Sequence, residues 1–255
     1  MPWDPVKYGH FKRERSAPFF DALQLVQDVK PGLSVIDLGC GTGELTRHLA
    51  DRLPDATVVG VDNSAEMLQE AGTFTRDGLS FVVRSIQDQL ALPGQWDLIF
   101  SNAALQWVPD HEWLFPAVID KIKPGGQLVV QMPAQHHNIA NRLLLQTAAS
   151  APYEQALKGF KRTSPVLDTD RYAQLLFRHG GTNITALEKI YPLIVEETEE
   201  VFNFVAATGM IPYMEALPEE LKAPFVADFK ARIAAYFPDR PIFYPFRRIL
   251  LSARF

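Results

Sequence analysis

Between Leu33 and Met132, five short apolar runs alternate with stretches of helical periodicity, and few folds accommodate that alternation. The runs are LSVIDL (33–38), ATVVGVD (56–62), LSFVVR (79–84), WDLIFSN (96–102) and GGQLVVQM (125–132). Glu44 to Arg52 and AEMLQEAG (65–72) carry helical spacing between them, and a further helix begins at about His111. Asn63 or Ser64 is placed to cap the second of these. Strands alternating with helices predict a parallel sheet covered on both faces. Pro116 inside the His111 helix predicts a kink or a restart there.

The flanks are less regular. Ala17 to Val29 has apolar residues at helical spacing (Phe19, Leu23, Val26) and stops at Lys30-Pro31-Gly32. Beyond Pro133, helices are predicted over Asn138 to Gln155, Asp170 to Arg178, Glu196 to Ala206 and Glu219 to Tyr236. Strands are predicted over Leu187 to Val195 and over the closing RRILLSARF. The 255 residues are organised as one domain: a core over 30–135, an arm over 1–29, a partial cap over 136–240 and a final strand over 241–255.

Charge narrows the partners. The net charge of −5 leaves no basic surplus to neutralise a phosphate backbone, so nucleic acid is not an expected partner. No apolar run approaches the roughly 20 residues that span a bilayer, and the N-terminus MPWDPVKYGHFKRER lacks an apolar signal core. A cytoplasmic protein without a membrane partner is expected. The single cysteine, Cys40, excludes an internal disulfide framework and reads as a small side chain packed in a tight turn.

The first run ends in SVIDLGCGTGELTRHLA (34–50), with glycines at 39, 41 and 43. A dinucleotide fingerprint would place its third glycine at position 44, which is Glu44. A carboxylate at that helix start opposes a pyrophosphate, and no Walker pattern follows. Asp37 ends the first strand, where open α/β sheets place ligands. It repels phosphate and attracts an ammonium or sulfonium. Asp62 ends the second strand, roughly 20 residues on, where an acid grips a ribose diol. The turn is thus suited to a nucleoside that carries positive charge.

VIDLGCGTG closely resembles the first motif of the class I S-adenosylmethionine-dependent methyltransferases. The resemblance implies a Rossmann-like, mostly parallel seven-stranded sheet with helices on both faces and a helical cap. It implies S-adenosyl-L-methionine as cofactor, with the Gly39–Gly41–Gly43 backbone against its methionine-adenosine part and Asp62 on the ribose. SNAALQW (101–107) would flank the reacting methyl, bringing in Asn102. Many relatives carry an acid after the third strand for the adenine amino group; Ser85 stands there and can accept that hydrogen bond, with the Ile86 N–H beside it, and Asp88 substitutes only under a shifted alignment.

Four longer stretches carry a narrower resemblance: WDPVKYGHFKRERSAP (3–18), NAALQWVPDHEWLFP (102–116), LVVQMP (128–133) and ATGMIPYMEAL (207–217). They resemble the branch of the family that esterifies small polycarboxylic acids, and trans-aconitate is the acceptor this implies. Such an acceptor is ionised at neutral pH, so its oxygen is already a nucleophile and no catalytic base is required. Proximity then carries the reaction. The spectator carboxylates need cations or hydroxyl donors. The candidates are Tyr8, His10, Arg13 and Arg15 in the arm, Tyr213 in the cap, and Tyr244 and Arg247 near the end. Arg247 and Arg248 are neighbours on a strand, so at most one faces the substrate. Trp107 is placed to wall the methyl, and His136 and His137 lie beyond the fifth strand.

Other chemistries fit less well. HEWLF at His111 lacks the second histidine of a zinc helix, and no metal site is expected. No G-x-S-x-G elbow is present. An NAD-type oxidoreductase is opposed by Glu44. A methyltransferase for another small carboxylic acid and a cofactor-binding protein without activity remain as alternatives.

Overall fold

A computed structural model describes residues 12–160 and 164–255, without the side chains at 12, 13, 207 and 208. Its centre is a seven-stranded sheet of order β3-β2-β1-β4-β5-β7-β6. The strands are β1 (Ser34–Leu38), β2 (Thr57–Asp62), β3 (Leu79–Val83), β4 (Trp96–Asn102), β5 (Ile122–Pro133), β6 (Thr182–Val195) and β7 (Ile242–Arg254). The first five pair in parallel, and β7 runs antiparallel to β5. The order reverses between β1 and β4, and ligands of such sheets bind beyond the strand ends at that point.

The chain forms two compact units. Of the described residues, one unit comprises 16–133, 165–189 and 248–255; the other comprises 12–15, 134–160, 164 and 190–247. The first is the sheet unit. Helices α1 (Lys12–Gln24) and α2 (Glu44–Arg52) carry Phe19, Ala22, Leu23, Leu49 and Ala50 into one core with Val35, Val58, Leu98, Phe100 and Val129. Burying the valine, leucine and phenylalanine side chains among these stabilises by about 1.5–3 kcal/mol each. Helix α3 (Ala65–Ala71) is capped by Ser64, whose hydroxyl accepts the Met67 N–H at 3.2 Å. Helix α4 (Ile86–Ala91) follows β3, and α5 (His111–Ile119) precedes β5. Helix α8 (Thr169–Arg178) belongs to the same unit.

The second unit is mainly helical. It holds α6 (Ile139–Ala148), α7 (Tyr153–Ala156), α9 (Thr198–Gly209), α10 (Ile211–Ala216) and α11 (Glu219–Tyr236). Phe225, Phe229 and Ile233 bury one side of α11, and the Tyr153 hydroxyl donates to Asp228 at 2.6 Å.

Several element boundaries differ from the sequence reading. Helix α1 stops at Gln24 rather than Val29, because the Gln127 side chain captures the Gln27 N–H (2.9 Å) and the Leu25 carbonyl (2.7 Å). Helix α5 passes through Pro116 without interruption. The carbonyl left without its helical donor belongs to Glu112, an exposed residue that water reaches. The 138–155 helix divides into α6 and α7, since Pro152 has no N–H to continue the first. Strand β6 begins five residues before the predicted start at Leu187, and β7 begins at Ile242, five residues before RRILLSARF and inside the 241–255 segment assigned to the final strand.

Candidate active site

The glycine turn joins β1 to α2, and its three glycines do different work. All have positive φ: +80° at Gly39, +54° at Gly41 and +74° at Gly43. A Cβ on Gly39 would lie 2.1 Å from the Ala104 Cβ, so Gly39 lets the segment after β4 close over the turn. A Cβ on Gly43 would lie 2.8 Å from both Ala71 and the Phe81 ring. Gly41 is the least crowded of the three: among the described residues the nearest atom to a Cβ there is the Met67 sulfur, at an ordinary contact distance of 3.9 Å. Of the three, Gly41 leaves the most room for a ligand.

Asp62 braces that backbone. One carboxylate oxygen accepts the Gly41 N–H at 2.9 Å and the other accepts the Ser64 N–H at 2.9 Å. A carboxylate has about four acceptor sites, so each oxygen retains capacity for a ribose hydroxyl. Gly60, unassigned by the sequence reading, keeps the turn close to β2: a Cβ there would meet Phe81 at 2.7 Å and Cys40 at 2.9 Å. A glycine inside a strand pattern was the available signal. Cys40 packs with Leu68, Ala71 and Phe81, and burial pushes its thiol up, out of the range of a nucleophile.

Asp37 is 3% exposed. The Thr46 hydroxyl donates to one of its oxygens at 2.6 Å, and the other has no hydrogen-bond partner among the described residues. Burial pushes its carboxyl up to about 7; the Thr46 bond opposes that rise and Asp62 adds to it. An orphaned, buried carboxylate oxygen is met by a cation or a donor. Asn102 ends β4 with its Oδ1 buried and likewise unpartnered. In register, Asp37 pairs with Phe100, two residues before Asn102, so the Asp37 and Asn102 side chains share the face lined by Phe100 and Val129. Two orphaned acceptors beside an uncrowded glycine backbone and an acid-ended β2 fit S-adenosylmethionine, whose methionine part carries ammonium and sulfonium. They do not fit a pyrophosphate.

Ser85 caps α4: its oxygen accepts the Asp88 N–H at 3.0 Å, and its hydroxyl donates to the Asp88 carboxylate at 2.7 Å. The structure therefore places an acid beside Ser85 through the cap, with Ile86 opening the helix.

The segment after β4 is held from both sides. Ala103 takes φ 54° and donates its N–H to the Gln131 carbonyl at 2.8 Å; its own carbonyl accepts the Gln106 side chain at 2.6 Å. His111 is 1% exposed. Its Nε2 pairs with the Leu105 carbonyl at 3.0 Å and its Nδ1 with the Tyr172 hydroxyl. The Tyr172 oxygen accepts the Leu167 N–H at 2.9 Å. Burial holds His111 below the usual histidine range, so the neutral ring donates from Nε2 and accepts at Nδ1. This relay fixes the 3₁₀ turn Leu105–Trp107, on which Trp107 is 56% exposed. Replacing Tyr172 by Phe leaves a buried imidazole nitrogen and the Leu167 N–H unmet. A loss of about 1–3 kcal/mol is expected, lowering Tm by roughly 2–10 °C in a thermal melt.

The remaining described candidates lie in the helical unit. The Arg15 guanidinium donates to the Phe204 carbonyl at 2.8 Å and lies 4.5 Å over the Phe204 ring. Tyr244 meets the same ring edge-on, with centroids 5.9 Å apart. Arg15 and Tyr244 are thus gathered around Phe204. Tyr213 belongs to another aromatic group, stacked on Phe225 at 5.7 Å and edge-on to Phe160 at 5.6 Å. The Arg247 peptide is clasped by Asn138, which accepts its N–H at 3.0 Å and donates to its carbonyl at 3.3 Å. Arg248 is buried and Arg247 half-buried. Tyr8, His10 and the Arg13 side chain lie outside the described residues.

A parallel sheet reversing between β1 and β4, with acids ending β1 and β2 around a glycine turn, is the architecture of a Rossmann-like methyltransferase. Residues 29–180 match the family model described as "Methyltransferase domain". The chain belongs to the class I S-adenosylmethionine-dependent methyltransferases. It is 41% identical to a Deinococcus radiodurans protein curated as trans-aconitate 2-methyltransferase, over 99% of this chain and 98% of the relative. It is 35% identical to an Azoarcus protein of the same name, over 99% of each. Among solved structures, Haemonchus contortus phosphoethanolamine N-methyltransferase 2 in complex with S-adenosyl-L-methionine matches with a TM-score of 0.56 and 17% identity. That match covers 92% of this chain and 51% of the longer one. The YcgJ protein of Bacillus subtilis matches with a TM-score of 0.57 and 13% identity, covering 95% and 97%.

Proposed function

We propose that this enzyme transfers the methyl group of S-adenosylmethionine to a carboxylate of trans-aconitate, giving a monomethyl ester. The observation carrying the donor half is the unpartnered, buried Asp37 oxygen beside the uncrowded Gly41 backbone. The acceptor half is supported by full-length likeness to proteins curated as trans-aconitate 2-methyltransferase.

When bound, the cofactor supplies an electrophilic methyl on a positively charged sulfur. The residues hold and orient. Asp37 and Asn102 meet the positive methionine end, Asp62 the ribose, and Gly39, Gly41 and Gly43 form the turn beneath them. Ser85 is the proposed acceptor of the adenine amino group, with the Ile86 N–H beside it and the Asp88 carboxylate held next to it by the cap. The acceptor oxygen is ionised and attacks without a base, so no proton moves. Arg13, Arg15, Tyr8, His10, Tyr213, Tyr244 and Arg247 are the proposed group from which the spectator carboxylates take their partners, and Trp107 shields the methyl. Arg15 arrives pre-oriented by Phe204, as a carboxylate fork requires. The proposed setting is the cytoplasm; among the described residues no helix is long and apolar enough to cross a membrane.

The acceptor class is tested by comparing kcat/KM for trans-aconitate, a monocarboxylic analogue and a primary amine. Trans-aconitate is expected to exceed the monocarboxylate by about 100-fold or more, since each lost charge-assisted contact is worth roughly 1.5–3 kcal/mol. Equal rates would overturn the polycarboxylate assignment.

A further inference from the structure

Strand β5 carries two buried glutamines in a row that is otherwise apolar, and they differ in one respect. Gln127 and Gln131 are 5% and 1% exposed. Gln127 is fully engaged: its amide nitrogen donates to the Leu25 carbonyl (2.7 Å) and the Ser252 hydroxyl (2.8 Å), and its oxygen accepts the Gln27 N–H (2.9 Å). It is a structural clasp between β5, β7 and the end of α1. Gln131 stands four residues further along on the same face, at the C-terminal end of the strand. Its amide nitrogen is buried and has no hydrogen-bond partner among the described residues. An unmet buried donor lowers stability, so a purely structural account leaves Gln131 unexplained.

Its neighbours give the explanation. In register, Gln131 pairs with Asn102 on β4, and Phe100, two residues earlier, pairs with Asp37 on β1. Across the sheet edge from β1 to β5 the unmet groups are therefore an acceptor on Asp37, an acceptor on Asn102 and a donor on Gln131. The first two suit a cation. The third suits an anion, one strand spacing (about 4.8 Å) beyond Asn102. The polarity changes sign in the direction in which a methyl would pass from a positive donor to a negative acceptor.

We propose that Gln131 binds the reacting carboxylate of the acceptor, its Nε2–H donating to the oxygen that does not attack. This rests on the carboxylate-acceptor reading above. The new oxygen–carbon bond forms as the carbon–sulfur bond breaks, its electron pair goes to sulfur, and no proton moves. The reaction annihilates one positive and one negative charge. An arginine on the attacking carboxylate would stabilise that charge most in the ground state and slow the step. A neutral amide fixes the carboxylate and leaves its nucleophilicity largely intact. Arginines are then kept for the spectator carboxylates.

The test pairs Gln131→Met and Gln131→Glu with Gln127→Met as the structural counterpart. Gln131→Met is expected to lower kcat/KM for trans-aconitate about tenfold or more, with S-adenosylhomocysteine affinity within about twofold of wild type. Its Tm should stay level or rise, because a buried unmet donor has been removed. Gln131→Glu should fall further, by about 100-fold, since it sets like charges against each other. Gln127→Met should lower Tm. If Gln131→Met fails to fold, Gln131→Asn keeps the amide one methylene short, and a raised acceptor KM at unchanged S-adenosylhomocysteine affinity reads the same way. A folded Gln131→Met with wild-type kcat/KM overturns the proposal alone, as does one that loses S-adenosylhomocysteine affinity while keeping the acceptor KM. A wild-type enzyme that binds S-adenosylhomocysteine but forms no ester from trans-aconitate overturns the acceptor reading, and this proposal with it.

Discussion

Asp62→Ala is expected to weaken S-adenosylmethionine binding about 100-fold or more, or roughly 3 kcal/mol, in a calorimetric titration. The size follows from the number of partners the carboxylate serves. It accepts the Gly41 and Ser64 N–H groups, and it is the proposed anchor of the ribose hydroxyls. Its removal leaves two backbone donors unmet and frees the turn at its least crowded glycine. Asp62→Asn, which keeps one acceptor oxygen, should lose less. If Asp62→Ala folds and binds the donor as wild type does, the ribose assignment is wrong.

Gly39→Ala is expected to act on the fold first. A left-handed backbone at +80° and a separation of only 2.1 Å from the Ala104 Cβ both count against a methyl there. Each effect is worth about 1–3 kcal/mol, so a loss of roughly 2–6 kcal/mol should appear as a lower urea midpoint. Gly41→Ala makes the contrast. Its Cβ meets only the Met67 sulfur at 3.9 Å, so stability should fall by only about 1 kcal/mol. Donor affinity should nonetheless fall more than about tenfold, because the new methyl occupies the room left for the ligand. Equal stability losses in the two variants would contradict the division of labour among the glycines.

Asp37 gives the donor site a pH dependence. Its folded-state pKa, about 7, lies above its ordinary value of 3.8. Between those values the free folded protein holds a proton that the unfolded chain has released, so this carboxyl makes stability fall as pH rises, levelling off above about 7. Donor binding runs the opposite way, because the positive methionine end selects the ionised form. Affinity for S-adenosylmethionine should rise from pH 5.5 to about 7 and then flatten, and Asp37→Asn should remove the slope.

The parallel half of the fold was legible because β1 to β4 each end close to their apolar runs, and buried strands announce themselves by composition. Strand β6 was only half visible. It lies at the sheet edge, and its first residues, Thr182 to Ala186, are exposed or half-buried, so no apolar period marks them. Helix α4, six residues long, is too short to show a helical period. Helix α1 was misplaced because its end is set by Gln127, about 100 residues away, which no local window contains. At the site, Asp37, Gly41 and Asp62 were readable from their positions at strand ends. Thr46, Gln106 and the His111–Tyr172 relay were not, since their roles come from partners distant in the chain or from a turn that closes only in three dimensions. Gln131 carried a weak signal, a polar residue inside an apolar strand. Gln127 carries the same signal for a structural reason, and only the hydrogen bonds separate them.

The central claim is that a methyl group passes from S-adenosylmethionine to a carboxylate oxygen of trans-aconitate. The most direct test gives the enzyme trans-aconitate and a donor whose methyl is deuterated, and follows the label by mass spectrometry before and after mild base. A single deuteromethyl group on the acid, released by base as deuterated methanol, is the expected result. Label that withstands base, or unlabelled trans-aconitate beside a protein that demonstrably binds the donor, would contradict it.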